Sequence, residues 1–301
     1  MLACLALAGC QGAPDDSCKM AFATDLPVTI SGGHLLAQAL WNGEPTTMVV
    51  DTGADTTTLA RSSAHKHHLQ LEMLNGFAVG IGGRQQVYGF DTKTYQIGRL
   101  HGGSFRLMAS DLGQVDEPGV DGLIGVDFLG AYDVDLDLSG GKFTLYRTYA
   151  GCREPRTPLG GELYSAPLVS SADARPRVEV EIGGKRLTAL IDTGAPGTML
   201  FRDSARRIGL DIDTLTTDHR FQIGGVGSRR RDAVLHVLAP IKLGDLTVSN
   251  LPVAIINQRS DDDVDMLLGL DFLSRVHPWF SFSSHTLILQ FPPLPSPPQP
   301  G

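Results

Sequence analysis

The sequence predicts a mainly β chain folded as two similar lobes, and three features carry that expectation. The 301 residues include 35 glycines and few long apolar periodic runs, which favours short strands and turns over helices. Several short stretches alternate apolar and polar residues, as half-buried strands do. The chain also repeats itself: VVDTGADTTTL (Val49 to Leu59) returns as LIDTGAPGTML (Leu190 to Leu200), with Asp51 and Asp192 standing 141 residues apart.

The repeat reaches well beyond these segments. VGIGGRQQV (Val79 to Val87) is answered by IGGVGSRRR (Ile223 to Arg231), and DGLIGVDFL (Asp121 to Leu129) by DMLLGLDFL (Asp265 to Leu273). The alternating closing strand KFTLYR from Lys142 is answered by HTLILQ from His285. Two copies are too few for a solenoid. They fit two lobes about a pseudo-twofold axis, which sets matching residues face to face.

In chain order, residues 1–20 read as a leader and tether, and 21–150 as the first lobe. Residues 151–166 are polar with proline and glycine and read as a linker, 167–291 as the second lobe, and 292–301 as a tail too proline-rich to pack as a strand. The first lobe opens with a hairpin: a strand through Leu35–Leu40, a turn at Asn42-Gly43, then a strand into Asp51. RVEVEIGGKRLTALIDTG repeats it with a turn at Gly183-Gly184. RSSAHKHHLQL and RDSARRIGL read as short helices, each following a DTG turn. Helices starting at Asp127 and Asp271 would place a carboxylate at the positive N-terminal end.

One Asp-Thr-Gly carries little information. Two copies, each behind two apolar residues and each followed by apolar-apolar-Gly, are specific, and here the sequence resembles the aspartic peptidases over nearly its whole length. DTGAD resembles the retropepsin subgroup, and the duplicated single chain resembles pepsin. The glycine hairpin in both halves resembles a fused retropepsin dimer, and bacterial retropepsin-like proteins are the nearest match. The resemblance implies the two-lobed acid-protease fold with the active site between the lobes. Asp51 and Asp192 become the catalytic pair, sharing one proton because two adjacent carboxylates cannot both ionise cheaply; pepsin is the standard example. It implies that Thr52 and Thr193 cross-link the lobes and that Gly53 and Gly194 allow the tight turn. Leu123-Ile124-Gly125 and Leu267-Leu268-Gly269 would pass beneath the DTG loops. The hairpins holding Gly80, Ile81, Gly82 and Gly83, and Gly224, Gly225, Val226 and Gly227, would be flaps that close over substrate.

Ala54 and Ala195 follow the DTG triplets, where pepsins often carry a hydroxyl, so the pair is expected to titrate higher than in pepsin. Asp55 lacks the arginine that retropepsins usually place shortly after the glycine of Ile124-Gly125, where Val126-Asp127 follow instead; it reads either as a substrate-binding group or as simply exposed. Pro196 stands at the matching position, so the half-sites should differ. The implied activity is endopeptidase cleavage of a peptide or protein by a monomer, with no metal and no cofactor. The alternatives are a catalytically silent peptide-binding module on the same fold and an aspartyl phosphotransferase, which needs a phosphate cradle in a parallel α/β sheet.

Net charge is −8 and no basic stripe is visible, which excludes a nucleic-acid binder. Neither glycine hairpin opens a helix or carries a P-loop lysine. His65 to His68, Arg229 to Arg231 and Asp261 to Asp265 read as a solvated helix face, a solvated hairpin and an exposed loop. Leu2 to Gly9 is apolar but too short to span a bilayer. It reads as an export signal whose end, Leu7-Ala8-Gly9-Cys10, resembles a bacterial lipobox, although no Lys or Arg precedes it. The expectation is an exported, periplasmic or secreted protein touching a membrane only through lipid on Cys10. Cys18 and Cys152 then remain, either as a disulfide or as two thiols.

Overall fold

The computed structural model describes residues 20–113, 119–148, 157, 159–260 and 263–291. Cys10, Cys18, Cys152 and the proline-rich tail lie outside them.

The expected hairpins form with both turn residues in the left-handed region, the geometry that matches strand twist. Asn42 and Gly43 have φ 56° and 85°, between strands His34–Trp41 and Glu44–Val50. Gly183 and Gly184 have φ 57° and 73°, between Arg177–Ile182 and Lys185–Ile191. The helices are shorter than the sequence suggested. Arg61–Lys66 and Arg202–Arg207 are single short turns, and the first ends before His68, whose φ is 54°.

Strand order repeats in the two halves. In the first, Glu44–Val50 runs parallel to Gly122–Ile124, which pairs antiparallel with Thr58–Ala60. In the second, Lys185–Ile191 runs parallel to Met266–Leu268, which pairs antiparallel with Met199–Phe201. The register is the same: Val50 faces Ile124 and Ile191 faces Leu268. Each arrangement delivers an aspartate at the end of a buried strand, because Val49-Val50 and Leu190-Ile191 sink into the core.

The first lobe is a 10-stranded sheet. The second lobe continues into a base that binds both halves within one 15-stranded sheet. In that base, Met20–Pro27, Lys142–Thr148 and Asp133–Asp137 meet His277–Ser281, Thr286–Gln290 and Leu163–Val169. The junction pairs Val134 with Phe280 and Asp135 with Trp279. Buried Asp133 closes it, accepting hydrogen bonds from Thr148 Oγ1 (2.7 Å), Ser281 Oγ (3.1 Å) and Ser283 Oγ (2.8 Å).

Candidate active site

The two DTG loops meet at the pseudo-twofold axis. Thr52 Oγ1 donates to Ile191 O (2.7 Å) and accepts from Thr193 N–H (3.1 Å). Thr193 Oγ1 donates to Val50 O (2.6 Å) and accepts from Thr52 N–H (3.0 Å). Four reciprocal bonds between fully buried groups therefore cross-link the lobes; a hydroxyl both donates and accepts, which is why threonine fits and valine would not.

Each aspartate is fixed by its own turn. Gly53 N–H donates to Asp51 Oδ1 (2.8 Å); Gly194 and Ala195 N–H donate to Asp192 Oδ1 (2.9 and 3.0 Å). The glycines are obligatory for a reason beyond the turn. A Cβ on Gly53 would lie 2.5 Å from Asp192 Cγ, and one on Gly194 would collide with Asp51. The carboxyls thus lie against the opposite loop, close enough that each shifts the other's titration. Burial pushes Asp51 well above the usual carboxylate range, and the neighbouring Asp192 charge adds to it. Burial also raises Asp192, opposed by the Gly194 and Ala195 amides, by the Asp51 hydrogen bond and by Arg175. One proton held between two oxygens is the outcome this geometry favours.

The two glycine hairpins reach each other at their tips. The first is the hairpin Glu72–Gly80 and Gly83–Thr92; the second joins His219–Ile223 to Arg231–Val237. Their tips bond to each other: Gly82 N–H to Val226 O (2.8 Å) and Arg229 N–H to Gly82 O (3.0 Å). Gly83 and Gly227 hold matching φ of 105° and 106°. Gly80 and Gly82 abut Val226 and Gly227, and Gly225 abuts Ile81, so side chains at those glycines would hold the tips apart. Gly224 lies in the second tip. Each tip also crosses over: Ile81 packs against the second-lobe cluster that includes Leu190, Met199 and Phe201, and Val226 against the first-lobe cluster that includes Val49, Leu112 and Leu123.

Several functional positions escaped the sequence reading. Asp127 and Asp271 do sit in the first turn of the short helices Val126–Leu129 and Leu270–Leu273, but each also accepts from a threonine of the DTG loop. Thr57 Oγ1 bonds Asp127 (2.6 Å), and Thr198 Oγ1 bonds Asp271 (2.7 Å). Asp121 and Asp265 brace the approach strands through Thr47 N–H and Thr188 N–H (both 2.9 Å) and through Ser63 and Ser204. Asp265 is therefore a bracing residue rather than part of an exposed loop. Comparing the copies residue by residue reveals both pairs. Arg231 is not merely solvated, since its Nε donates to Ile81 O (3.1 Å) on the opposite flap. Asp55 is exposed beside the first loop. Gly125 and Gly269 leave room beneath the DTG loops, where a Cβ would lie 2.9 Å from Ala54 O and 2.8 Å from Ala195 O.

Two β lobes that meet through crossed threonines at one pair of carboxyls define an aspartic peptidase scaffold. The chain belongs to the aspartyl protease family, whose model matches residues 37–128 and 178–272. It is 39% identical over 112 residues to the UBA domain-containing protein Mud1 of Schizosaccharomyces pombe, covering 36% of this chain and 31% of that protein. It is 32% identical over 120 residues to DNA damage-inducible protein 1 of Neurospora crassa, covering 39% of this chain and 26% of that protein. The matched part thus spans about a quarter to a third of these relatives.

These relatives correct two expectations. They are fungal and named for a UBA domain and for DNA damage, so they do not carry the bacterial affiliation or the exported, lipid-anchored, periplasmic placement. The physical weakness of that placement was its signal: a short apolar start with no basic residue ahead of Cys10.

Proposed function

We propose that the chain is an aspartic endopeptidase. The observation that carries this reading is the pair of carboxyls, Asp51 and Asp192, each set against the opposite DTG loop by the reciprocal bonds of Thr52 and Thr193. With one proton between them, the ionised carboxyl takes a proton from a water as its oxygen bonds to the peptide carbonyl carbon. The other carboxyl gives its proton to the carbonyl oxygen, producing a gem-diol. Return of a proton from the first carboxyl to the amide nitrogen, and of a diol proton to the second, lets the C–N bond break. The side chains alone balance every proton.

Flap closure shields the reaction from bulk water, and the apolar surfaces under Ile81 and Val226 favour apolar side chains flanking the scissile bond. One polypeptide supplies both carboxyls, so a monomer suffices. The raised titration of the pair favours activity at mildly acidic rather than strongly acid pH. Casein incubated across pH with wild type, Asp51→Asn and Asp192→Asn tests the reading. Cleavage by wild type alone supports it; equal cleavage by all three rejects it, and no cleavage by any leaves the silent peptide-binding module in its place.

A further inference from the structure

The bonds that join the two flap tips differ in kind. Two run between backbone groups, from Gly82 N–H to Val226 O and from Arg229 N–H to Gly82 O. The third comes from a side chain: Arg231 Nε–H reaches from the second flap to Ile81 O on the first (3.1 Å), between residues 150 apart in the chain. Arg231 begins the strand Arg231–Val237 and pairs with Ile223, the last pair before its own tip. Its backbone is thus fixed in one flap while its guanidinium grips the other.

The grip is one-sided. Position for position, Arg231 answers Val87, which is 6% exposed and carries no side-chain donor. Among the described residues, no side chain of the first flap bonds a backbone group of the second.

Resting on the peptidase reading for its kinetic half, we propose that Arg231 is a positioning residue that latches the flaps in a self-closed state, which a peptide must open before it reaches the aspartates.

The closed tips satisfy one another. Gly82 N–H and the carbonyls of Ile81, Gly82 and Val226 are all engaged between the flaps, so none is offered to a peptide while the latch holds. The apolar contacts are likewise self-supplied. Ile81 packs against the second-lobe cluster and Val226 against the first-lobe cluster, the surfaces that would receive the substrate's apolar side chains. The tips also leave no gap: a Cβ on Gly82 would lie 2.5 Å from the Gly227 carbonyl carbon.

Ile81 is therefore held twice by the second lobe, at its side chain by the cluster and at its carbonyl by Arg231. The second hold is the stronger kind of hydrogen bond, because its donor carries a charge. Arginine suits a latch: its long stem spans the gap between flaps, and its charge persists at every working pH. A protein whose binding-competent state is a minor fraction binds more weakly by that fraction. Releasing the latch should therefore strengthen substrate binding and leave the chemical step alone.

The test uses the full chain, with hydrogen exchange read by NMR in the absence of substrate. In the wild type, the Arg231 Nε proton should exchange at least about tenfold more slowly than that of exposed Arg229. Arg231→Met keeps an unbranched stem and removes the donor. It should speed exchange of the Gly82 and Arg229 amides about tenfold and leave the Val134 and Phe280 amides of the base unchanged. Arg231→Lys should restore most of the protection. With casein, Arg231→Met should lower KM by up to about tenfold, with kcat changed less than about twofold. An Arg231 Nε proton exchanging as fast as that of Arg229, tip amides unmoved in Arg231→Met, or a KM unchanged or raised overturns the proposal. The wild-type comparison decides even if Arg231→Met fails to fold. The exchange measurements need no turnover, so an inactive wild type would count against the peptidase reading and leave the latch to be judged by them.

Discussion

In the first lobe, strand Glu44–Val50 carries Asp51 to the axis, and the lobe's flap hairpin is long, built from strands of 9 and 10 residues. In the second lobe, Lys185–Ile191 carries Asp192 in the same register, but its flap strands have 5 and 7 residues. At matching sequence positions around the two aspartates the first lobe carries His34 and Asp55, and the second Arg175 and Pro196. The lobes match wherever the axis itself has work to do. Crossed threonines meet only if both loops have the same shape, and two carboxyls touch only if both strands end at the same height. They diverge in flap length and at positions flanking the aspartates, where the proposed peptide substrate, which has a direction, would lie. Symmetry belongs to the frame and asymmetry to what the frame holds.

The comparison can be broken at several depths. The largest effect is expected at the acids: Asp51→Asn and Asp192→Asn should each lower kcat on casein by at least about 10³-fold. A variant retaining more than about a tenth of wild-type activity would show that the lobes do not contribute equally. Next come the crossed threonines. Thr52→Ala and Thr193→Ala each remove a donor and leave the opposite buried N–H unpaired, at a cost of about 2–4 kcal/mol in urea unfolding. The two costs should agree within about 1 kcal/mol, and serine at either position should recover most of the loss. Smaller still, Thr57→Val and Thr198→Val should each cost about 1–2 kcal/mol by removing the hydroxyl bond to Asp127 or Asp271. Unequal losses there would mean that the loops are braced differently.

The smallest predicted effect lies at the base, where His277 Nε2 meets Asp135 Oδ1 across the lobe junction (2.5 Å). The hydrogen bond to Asp135 raises the His277 pKa above its ordinary value. The folded state therefore keeps a proton that the unfolded chain releases sooner. The stabilisation is complete below the unfolded imidazole's pKa and is lost as pH climbs through the raised one. His277→Gln should cost about 1 kcal/mol at pH 5 and close to nothing at pH 9, after discounting for partial exposure. An equal loss at both pH values would assign the contact to packing instead of charge.

Much of this molecule is legible in its residues. The paired DTG loops, the Asn42-Gly43 and Gly183-Gly184 turns and the glycine flaps are local patterns, and short-range sterics settle them. Arg175 was not legible, since its partner Gly53 is 122 residues away and only the folded axis brings them together. Thr57 and Thr198 were legible in principle: each stands six residues after its aspartate, and each meets an aspartate two residues after Gly125 or Gly269. The sequence reading assigned those aspartates to their helix ends and left the threonine partners unseen. The helices were overestimated because RSSAHKHHLQL suits a helix locally, while the strand at Glu72 takes the chain away. The exported, periplasmic placement was overturned for the opposite reason: four residues resembling a processing signal say little without a basic flank.

The pairing of Val134 with Phe280 and Asp135 with Trp279 has a kinetic corollary. A cleft assembled from two separate polypeptides dissolves on dilution, and its specific activity falls as subunits part. Here a continuous ladder of peptide bonds and backbone hydrogen bonds ties one half to the other. Turnover per molecule should therefore stay constant from micromolar down to picomolar protein.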